Sequence, residues 1–284
     1  MKPCASRSSA LGSNTPLLLI HPIGVGLSSR FWDRFIQHWR SLEPERMLLA
    51  PDLLGCGNAP CPPQPLTPDD WAKPLISNLK ERGAEPVVLI SQGASLPIAL
   101  ALQAQAPELV VALVAISPPG WRVLSEPFPQ KRAQQLWTLL FSGPLGSLFY
   151  RYARRRGFLA SFSRNNLFAE PSAVDDEWLE TLQAGSRAME SRWAVFSFLA
   201  GFWRSNWETQ FTGLTVPVQV VFGQSATGIG RSRSWDDVSE RLDAYRRKLP
   251  DAAIATLDGR NVLPYESSAA CVACVQGWLQ ATNC

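Results

Sequence analysis

The sequence predicts a doubly wound α/β fold on a mostly parallel sheet, and three observations carry that expectation. Short apolar runs recur along the chain, each closed by turn-forming residues. Helix-like stretches separate them, and one long helix-like segment interrupts the series before its last two strands. Pro16–Ile20, Arg46–Ala50, Pro86–Ile90 and Leu109–Ile116 have the continuous apolar character of strands buried on both faces. Between them Ser28–Trp39, Pro68–Arg82 and Ser95–Gln105 read as helices, so the order is β-α-β-α-β-α-β. The next strands, Val216–Phe222 and the weaker Ala252–Leu257, come only after Trp121–Gln210 has passed, and a helix over Ser268–Leu279 closes the chain. Trp121–Gln210 is helix-like and rich in Trp, Phe, Leu and Arg, with breaks at Gly143–Gly146 and Glu170–Ser172. The proline-rich Ala59–Pro65 lacks ladder donors and reads as a loop.

Composition narrows the class. At 284 residues with 46% apolar and 18% charged side chains, the chain has material for two domains, or for one domain with a large insertion, and it is neither collagenous nor wholly disordered. The 27 basic and 24 acidic residues leave a formal charge of +3, too little to predict a nucleic-acid partner. Eleven Trp and thirteen Phe imply extensive core or a roomy apolar pocket. The six cysteines, Cys4, Cys56, Cys61, Cys271, Cys274 and Cys284, are too sparse for a disulfide scaffold, so a reducing, cytoplasmic setting is expected. The first sixteen residues lack the apolar region of a signal peptide, and Leu17–Ile20 is too short to span a bilayer. A soluble protein with a loose tail over 1–15 follows.

In open α/β sheets ligands gather at the carboxyl ends of the strands, where this chain carries three distinctive loops. They are His21-Pro22-Ile23-Gly24-Val25-Gly26, Pro51-Asp52-Leu53-Leu54-Gly55-Cys56-Gly57, and Ser91-Gln92-Gly93-Ala94-Ser95 opening a helix. Together they resemble the α/β-hydrolase superfamily over most of the chain. The resemblance implies a hydrolase-type core over 16–120 and 211–284 and a helical cap over 121–210. It also implies a nucleophile on a sharp strand-to-helix turn, framed by small residues. Here the frame of small residues is kept by Ser91 and Ser95, but the centre is Gly93, which has no side chain to attack a carbonyl and which tolerates the backbone conformation of such a turn. By the same resemblance Ala226 stands where the acid is expected, with no carboxylate before Asp236, and Val262 stands where the base is expected. The two histidines of the chain, His21 and His38, both precede Gly93, so a Ser-His-Asp triad with histidine last in the chain is impossible.

Other candidates have plain alternatives. The backbone N–H groups of Ile23 and Ala94 are candidate oxyanion-type donors, helped by the positive end of the helix that starts near Ser95, while Pro22 removes one donor. Ser95 or Ser91 could replace the nucleophile, or simply be the small residues the turn needs. His21 could act as acid or base, or order the loops around it. Asp52 could take part in chemistry or bond loop N–H groups. Arg260 and Asn261 could bind a ligand or pin their loop against Glu266. His38 reads as an ordinary helical residue, Cys271 and Cys274 as buried helix positions rather than a metal half-site, and the Gly24–Gly26 pair as too short for a nucleotide fingerprint. Trp137, Phe141, Phe198 and Trp203, with His21, Gln92, Gly93, Arg260 and Asn261, are the expected pocket lining. The basic Arg151–Arg156, among Phe149, Tyr150, Phe158 and Leu159, is either a solvated helix face or a dock for an anionic partner or membrane surface. The reading that follows is a protein without metal or cofactor that binds a hydrophobic small molecule or a partner. The alternative is an unorthodox hydrolase or lyase acting on an ester-like or lipid-like substrate.

Overall fold

Apolar residues that alternate between two covered faces organise the molecule. In a computed structural model, which describes residues 14–229 and 237–282, the strands are β1 (Leu17–Ile20), β2 (Leu48–Leu49), β3 (Val87–Gln92), β4 (Val110–Ile116), β5 (Val218–Gly223) and β6 (Ala253–Leu257). All pairings are parallel, in the order β2-β1-β3-β4-β5-β6. The tail expected over 1–15 lies outside the described residues except for its last two positions, as do Cys4, Cys284 and Asp236 entirely.

Because successive strand residues point to opposite faces, β1 sends Leu18 and Ile20 into one core and Leu17 and Leu19 into another. The helices α1 (Asp33–Leu42), α2 (Pro68–Glu81) and α3 (Leu96–Gln105) follow the first three strands in turn. The first core joins the sheet to Trp71 and Leu75 of α2 and to Leu96 and Leu100 of α3. The second joins it to Phe35 and Trp39 of α1. The start of α2 is fixed by a reciprocal cap: Thr67 Oγ1 accepts from the Asp70 N–H, and Asp70 Oδ2 accepts from the Thr67 N–H.

Two elements depart most clearly from the form that the sequence predicts. The strand expected over 46–50 is only Leu48–Leu49, at the sheet edge with one neighbouring strand, while the buried Arg46 turns aside to donate to the Thr15 carbonyl and to Glu43. The helix expected from Ser28 begins as a tight turn over Ser29–Trp32 before α1.

Between β4 and β5 the described elements are all helical: α4 (Trp121–Ser125), α5 (Gln130–Leu136), a wide π turn over Trp137–Phe141, α6 (Pro144–Ala153), α7 (Arg156–Asn166), α8 (Asp176–Gly185), α9 (Arg192–Ala200) and α10 (Glu208–Thr212). Then follow α11 (Val238–Lys248), α12 (Leu263–Glu266) and α13 (Ser268–Thr282), the last packing Val272 and Val275 into the second core. Both ends of the helical segment sink into the first core. Trp121 stacks on Phe211 at 5.9 Å and meets the edge of Tyr245 at 5.0 Å. The expected boundary after Gln210 therefore falls inside α10.

The middle of that segment lies directly on the loops at the carboxyl ends of the strands. Gly26 takes φ +79°, and a Cβ there would stand 1.8 Å from the Leu182 carbonyl oxygen of α8. Gly55 takes φ +83°, and a Cβ there would stand 2.7 Å from Cβ of Ala194 in α9. Ser197 Oγ accepts from the Leu66 N–H at 2.9 Å. Arg34 of α1 pairs with Asp175 and Glu177 at the start of α8 and lies 3.9 Å over the Tyr265 ring, whose hydroxyl donates to Asp175 at 2.7 Å. The second glycine of Gly24-x-Gly26 thus serves a helix-to-loop contact.

This contact predicts a contrast between two glycines. Gly26→Ala should lower the unfolding free energy by roughly 3 kcal/mol, combining left-handed backbone strain with overpacking. Gly157→Ala, in α7 with open space around its position, should leave stability unchanged or raise it by up to about 1 kcal/mol. Urea unfolding of both variants measures the difference, and equal effects would contradict the packing described.

Candidate functional site

The site expected from the sequence is the turn where β3 becomes α3. β3 is buried throughout, and α3 is buried from Leu96 to Leu102, so the chain must reverse direction within the three-residue turn Gly93–Ser95. Gly93 does so at φ +60°, a conformation costing roughly 1–2 kcal/mol for a residue with a Cβ. The nearest atom to a Cβ at Gly93 would be the Ser117 carbonyl oxygen at 4.0 Å. A Cβ would therefore meet no clash at this turn, but its glycine supplies none. Gly93 and Ala94 are partly exposed, whereas Ser91, Gln92 and Ser95 beside them are buried. The amino end of α3, with its partial positive charge, directly follows the turn.

The buried neighbours are held by structural bonds. Ser95 Oγ donates to the backbone carbonyl of His21 at 2.6 Å, and Ser91 Oγ points to the Val114 carbonyl at 3.5 Å. The His21 ring is fully buried. Its Nε2 accepts from the Leu53 N–H at 3.0 Å, so the proton sits on Nδ1, which donates to the Pro22 carbonyl at 2.9 Å. Burial pulls its pKa down to about 4, so the ring is neutral at ordinary pH. A Ser95–His21 nucleophile pair is not what the geometry provides, because the serine bonds the histidine's backbone and both ring nitrogens are occupied. Ile23 is buried in the same loop, and His38 is exposed on α1.

Asp52 accepts from the Ser29 N–H and the Asn58 N–H, each at 2.8 Å. Burial works to raise its pKa, but these bonds, together with the Ser29 side chain and the neighbouring His21, outweigh that and hold it below the usual carboxylate value. The carboxylate ties its own loop to the start of α1, and Gly57 is required beside it, since a Cβ there would lie 2.2 Å from Asp52 Oδ2.

The loops after β5 and β6 touch each other: a Cβ on Gly223 would lie 2.3 Å from the Arg260 carbonyl oxygen. Ala226 and Val262, the positions the resemblance assigns to acid and base, are both buried apolar residues, one in each core. The polar residues around them fasten the helical segment. Arg260 donates from its guanidinium to Thr227 Oγ1 and to the Asn165 carbonyl, and from its backbone to Glu266. Asn261 donates from Nδ2 to the carbonyls of Asn166 and Thr227, and from its backbone to that of Leu167. Glu266 also accepts from the Ala169 N–H at 2.6 Å. Of the two roles open to Arg260 and Asn261, these bonds are those of a pinned loop.

Two buried polar atoms near the turn have no protein partner. Gln92 donates from Nε2 to the Asn261 carbonyl at 2.6 Å, but its Oε1 is unpaired. Ser117, at the end of β4, takes φ +45°, and its Oγ is likewise unpaired. Such atoms are uncommon in native cores. Ser117 carried no signal in the sequence, because its importance lies in which loop it faces.

The expected pocket wall divides into two groups. Trp137 and Phe141 pack with Trp193 and Phe196, and Phe198 and Trp203 stack on each other at 5.0 Å, with Phe198 against the first core. Cys271 and Cys274 lie free on α13, where burial pushes both thiols up. Among the described residues no three metal-binding side chains are gathered, and no helix is long and apolar enough to cross a membrane.

A parallel sheet with a sharp, glycine-centred turn at the end of its central strand, and a helical segment inserted before the fifth strand, is the architecture of an α/β hydrolase. The model of the alpha/beta hydrolase family matches residues 17–273, and the chain belongs to that family. A thermophilic esterase from Thermogutta terrifontis shares the fold with a TM-score of 0.72 at 19% identity, over 96% of this chain and 92% of that one. A putative alpha/beta hydrolase from Nostoc sp. PCC 7120 gives 0.70 at 18% identity, covering 94% and 91%. A bromoperoxidase from Bacillus anthracis gives 0.68 at 13%, covering 95% and 93%. Identities this low speak for the fold alone. The lipase LipV of Mycobacterium tuberculosis (strain H37Rv) is 36% identical over 102 residues, a match that spans only 36% of each chain.

The environment of His21 yields a pH prediction. The unfolded chain binds a proton on this ring below its ordinary pKa of 6.5, whereas the folded chain does so only near 4. Stability should therefore fall as pH drops through that window, by about 3 kcal/mol in all, and this contribution should be flat above it. Urea unfolding across the range should show the slope, and His21→Gln should remove it. A ring that titrates near 6.5 by NMR in the folded protein would contradict the burial described.

Proposed function

We propose that this chain is a non-catalytic member of its family, a cytoplasmic binding protein in which the helical segment between β4 and β5 acts as a cap over the turn at Gly93 and holds a hydrophobic small molecule or a partner. One observation carries the reading: the turn is kept at φ +60° with no clash awaiting a Cβ, yet its centre has no side chain, and the assigned acid and base positions are the buried Ala226 and Val262. The half-open Gly93 and Ala94, the unpaired Gln92 Oε1 and Ser117 Oγ, and the amino end of α3 would meet a polar or anionic head group, while the aromatic groups of the cap would meet an apolar body.

The second reading, an unorthodox hydrolase or lyase acting on an ester-like or lipid-like substrate, draws on the partial likeness to a protein named a lipase. It must work with Ser95, His21 or Asp52, and each of these is already bonded to a neighbouring loop.

Assays with acetyl, butyryl and octanoyl esters of p-nitrophenol should give no rate above background, and native mass spectrometry should find an apolar molecule travelling with the purified protein. Hydrolysis abolished by Ser95→Ala or Ser91→Ala would establish the second reading instead. Gly93→Ser should fold at a cost of roughly 1–2 kcal/mol and gain no esterase activity, since a hydroxyl without a base is a weak nucleophile. Activity gained by that single change would reveal a base where none is proposed.

A further inference from the structure

α6 is amphipathic in the reverse of the usual sense. Leu145, Leu148, Phe149 and Tyr152, spaced to share one helix face, are 63%, 66%, 40% and 52% exposed. Gly146, Tyr150 and Ala153, on its other side, are buried. Tyr150 packs edge-on to Phe196 and bonds Ser191. Leu139 and Leu140, on the π turn just before, are 71% and 45% exposed and extend the apolar surface. The outward face forms an open groove of about 620 Å³ whose lining includes Arg151 and Arg155. Single exposed apolar side chains are ordinary, but six on consecutive elements mark an interaction surface.

Within 127–169, the stretch of chain that carries this face, the charge is of one sign. From Pro127 to Ala169 there is no Asp or Glu, while Lys131, Arg132, Arg151, Arg154, Arg155, Arg156 and Arg164 supply seven cations. With a formal charge of +3 on the whole chain, the remainder is therefore at −4. Arg154 and Arg156 are partly engaged in the fold, with the Ser186 and Arg187 carbonyls and with Asp176 and Gln183. Lys131, Arg132, Arg151, Arg155 and Arg164 are exposed.

We propose that the outward face of α6, with the preceding π turn, docks on an anionic lipid surface. Leu, Phe and Tyr side chains would enter the boundary between head groups and acyl chains, and the surrounding arginines would meet lipid phosphates, as for helices that lie in the plane of a membrane. A second copy is the poorer occupant: a symmetric contact sets the same patch against itself, and so sets these cations against cations. The proposal stands on the surface alone, independently of what the turn at Gly93 binds.

The test is flotation of the full chain with vesicles of equal parts phosphatidylglycerol and phosphatidylcholine, against pure phosphatidylcholine, at low and high salt. The protein should float with the anionic vesicles at low salt, with binding at least roughly tenfold weaker on neutral vesicles or in high salt. Leu148→Glu with Phe149→Glu, and separately Arg151→Glu with Arg155→Glu, should each reduce binding at least roughly tenfold. These side chains are exposed, and an unchanged thermal unfolding transition shows that the fold persists. Equal binding to neutral vesicles, or binding indifferent to both pairs of substitutions, overturns the proposal. So does a dimer in sedimentation that fails to float and that Leu148→Glu dissociates, since the face would then belong to a second copy.

Discussion

The geometry of this molecule depends on one reversal of direction. A fully buried strand, β3, must hand over to a buried helix, α3, within three residues, and the left-handed conformation of Gly93 accomplishes this. Because the strand is central and parallel to its neighbours, the loops from β1, β2, β4, β5 and β6 open at the same end of the sheet. The turn therefore lies where those loops gather, whether or not it carries chemistry.

Around that turn, hydrogen bonds from polar side chains hold the loops together. His21, Ser95 and Asp52 bind the loops after β1 and β2 and the turn after β3 to one another and to the tight turn before α1. Arg260, Asn261 and Glu266 bind the loop after β6 to the junction of α7 and α8. Glycines let backbones meet where a Cβ would collide, at Gly26 against Leu182 and at Gly55 against Ala194. The helical segment is thereby held tightly against the loops beneath it. In contrast, the side of the segment that faces the molecule is packed and bonded to the loops, and the side of α6 that faces solvent carries the unmatched apolar and cationic surface.

Much of the fold was legible in the residues because periodicity is local. Uniformly apolar runs gave strands buried on both faces, and the helix starts at Pro68 and near Ser95 were set by neighbours a few positions away. The edge strand was legible only as an apolar run, since its length depends on having one partner strand. The helical segment runs past the boundary expected after Gln210, to Thr212, because the stacking of Trp121 on Phe211 joins residues far apart in the chain. A single aromatic wall had no local signal to support it: Trp137 with Phe141, and Phe198 with Trp203, fall into separate groups.

The sequence by itself determined which atoms exist at the site: a glycine at the centre of the turn, two histidines that both precede it, and alanine and valine at the assigned acid and base positions. Composition and order fix these residues, since no folding supplies an atom that the sequence lacks. Only the tertiary structure decided what the remaining polar groups do. Whether His21, Ser95, Asp52 and Arg260 faced a cavity or each other turned on contacts between loops distant in the chain, and hydrogen bonds of that kind are set by geometry that no local pattern of residues encodes.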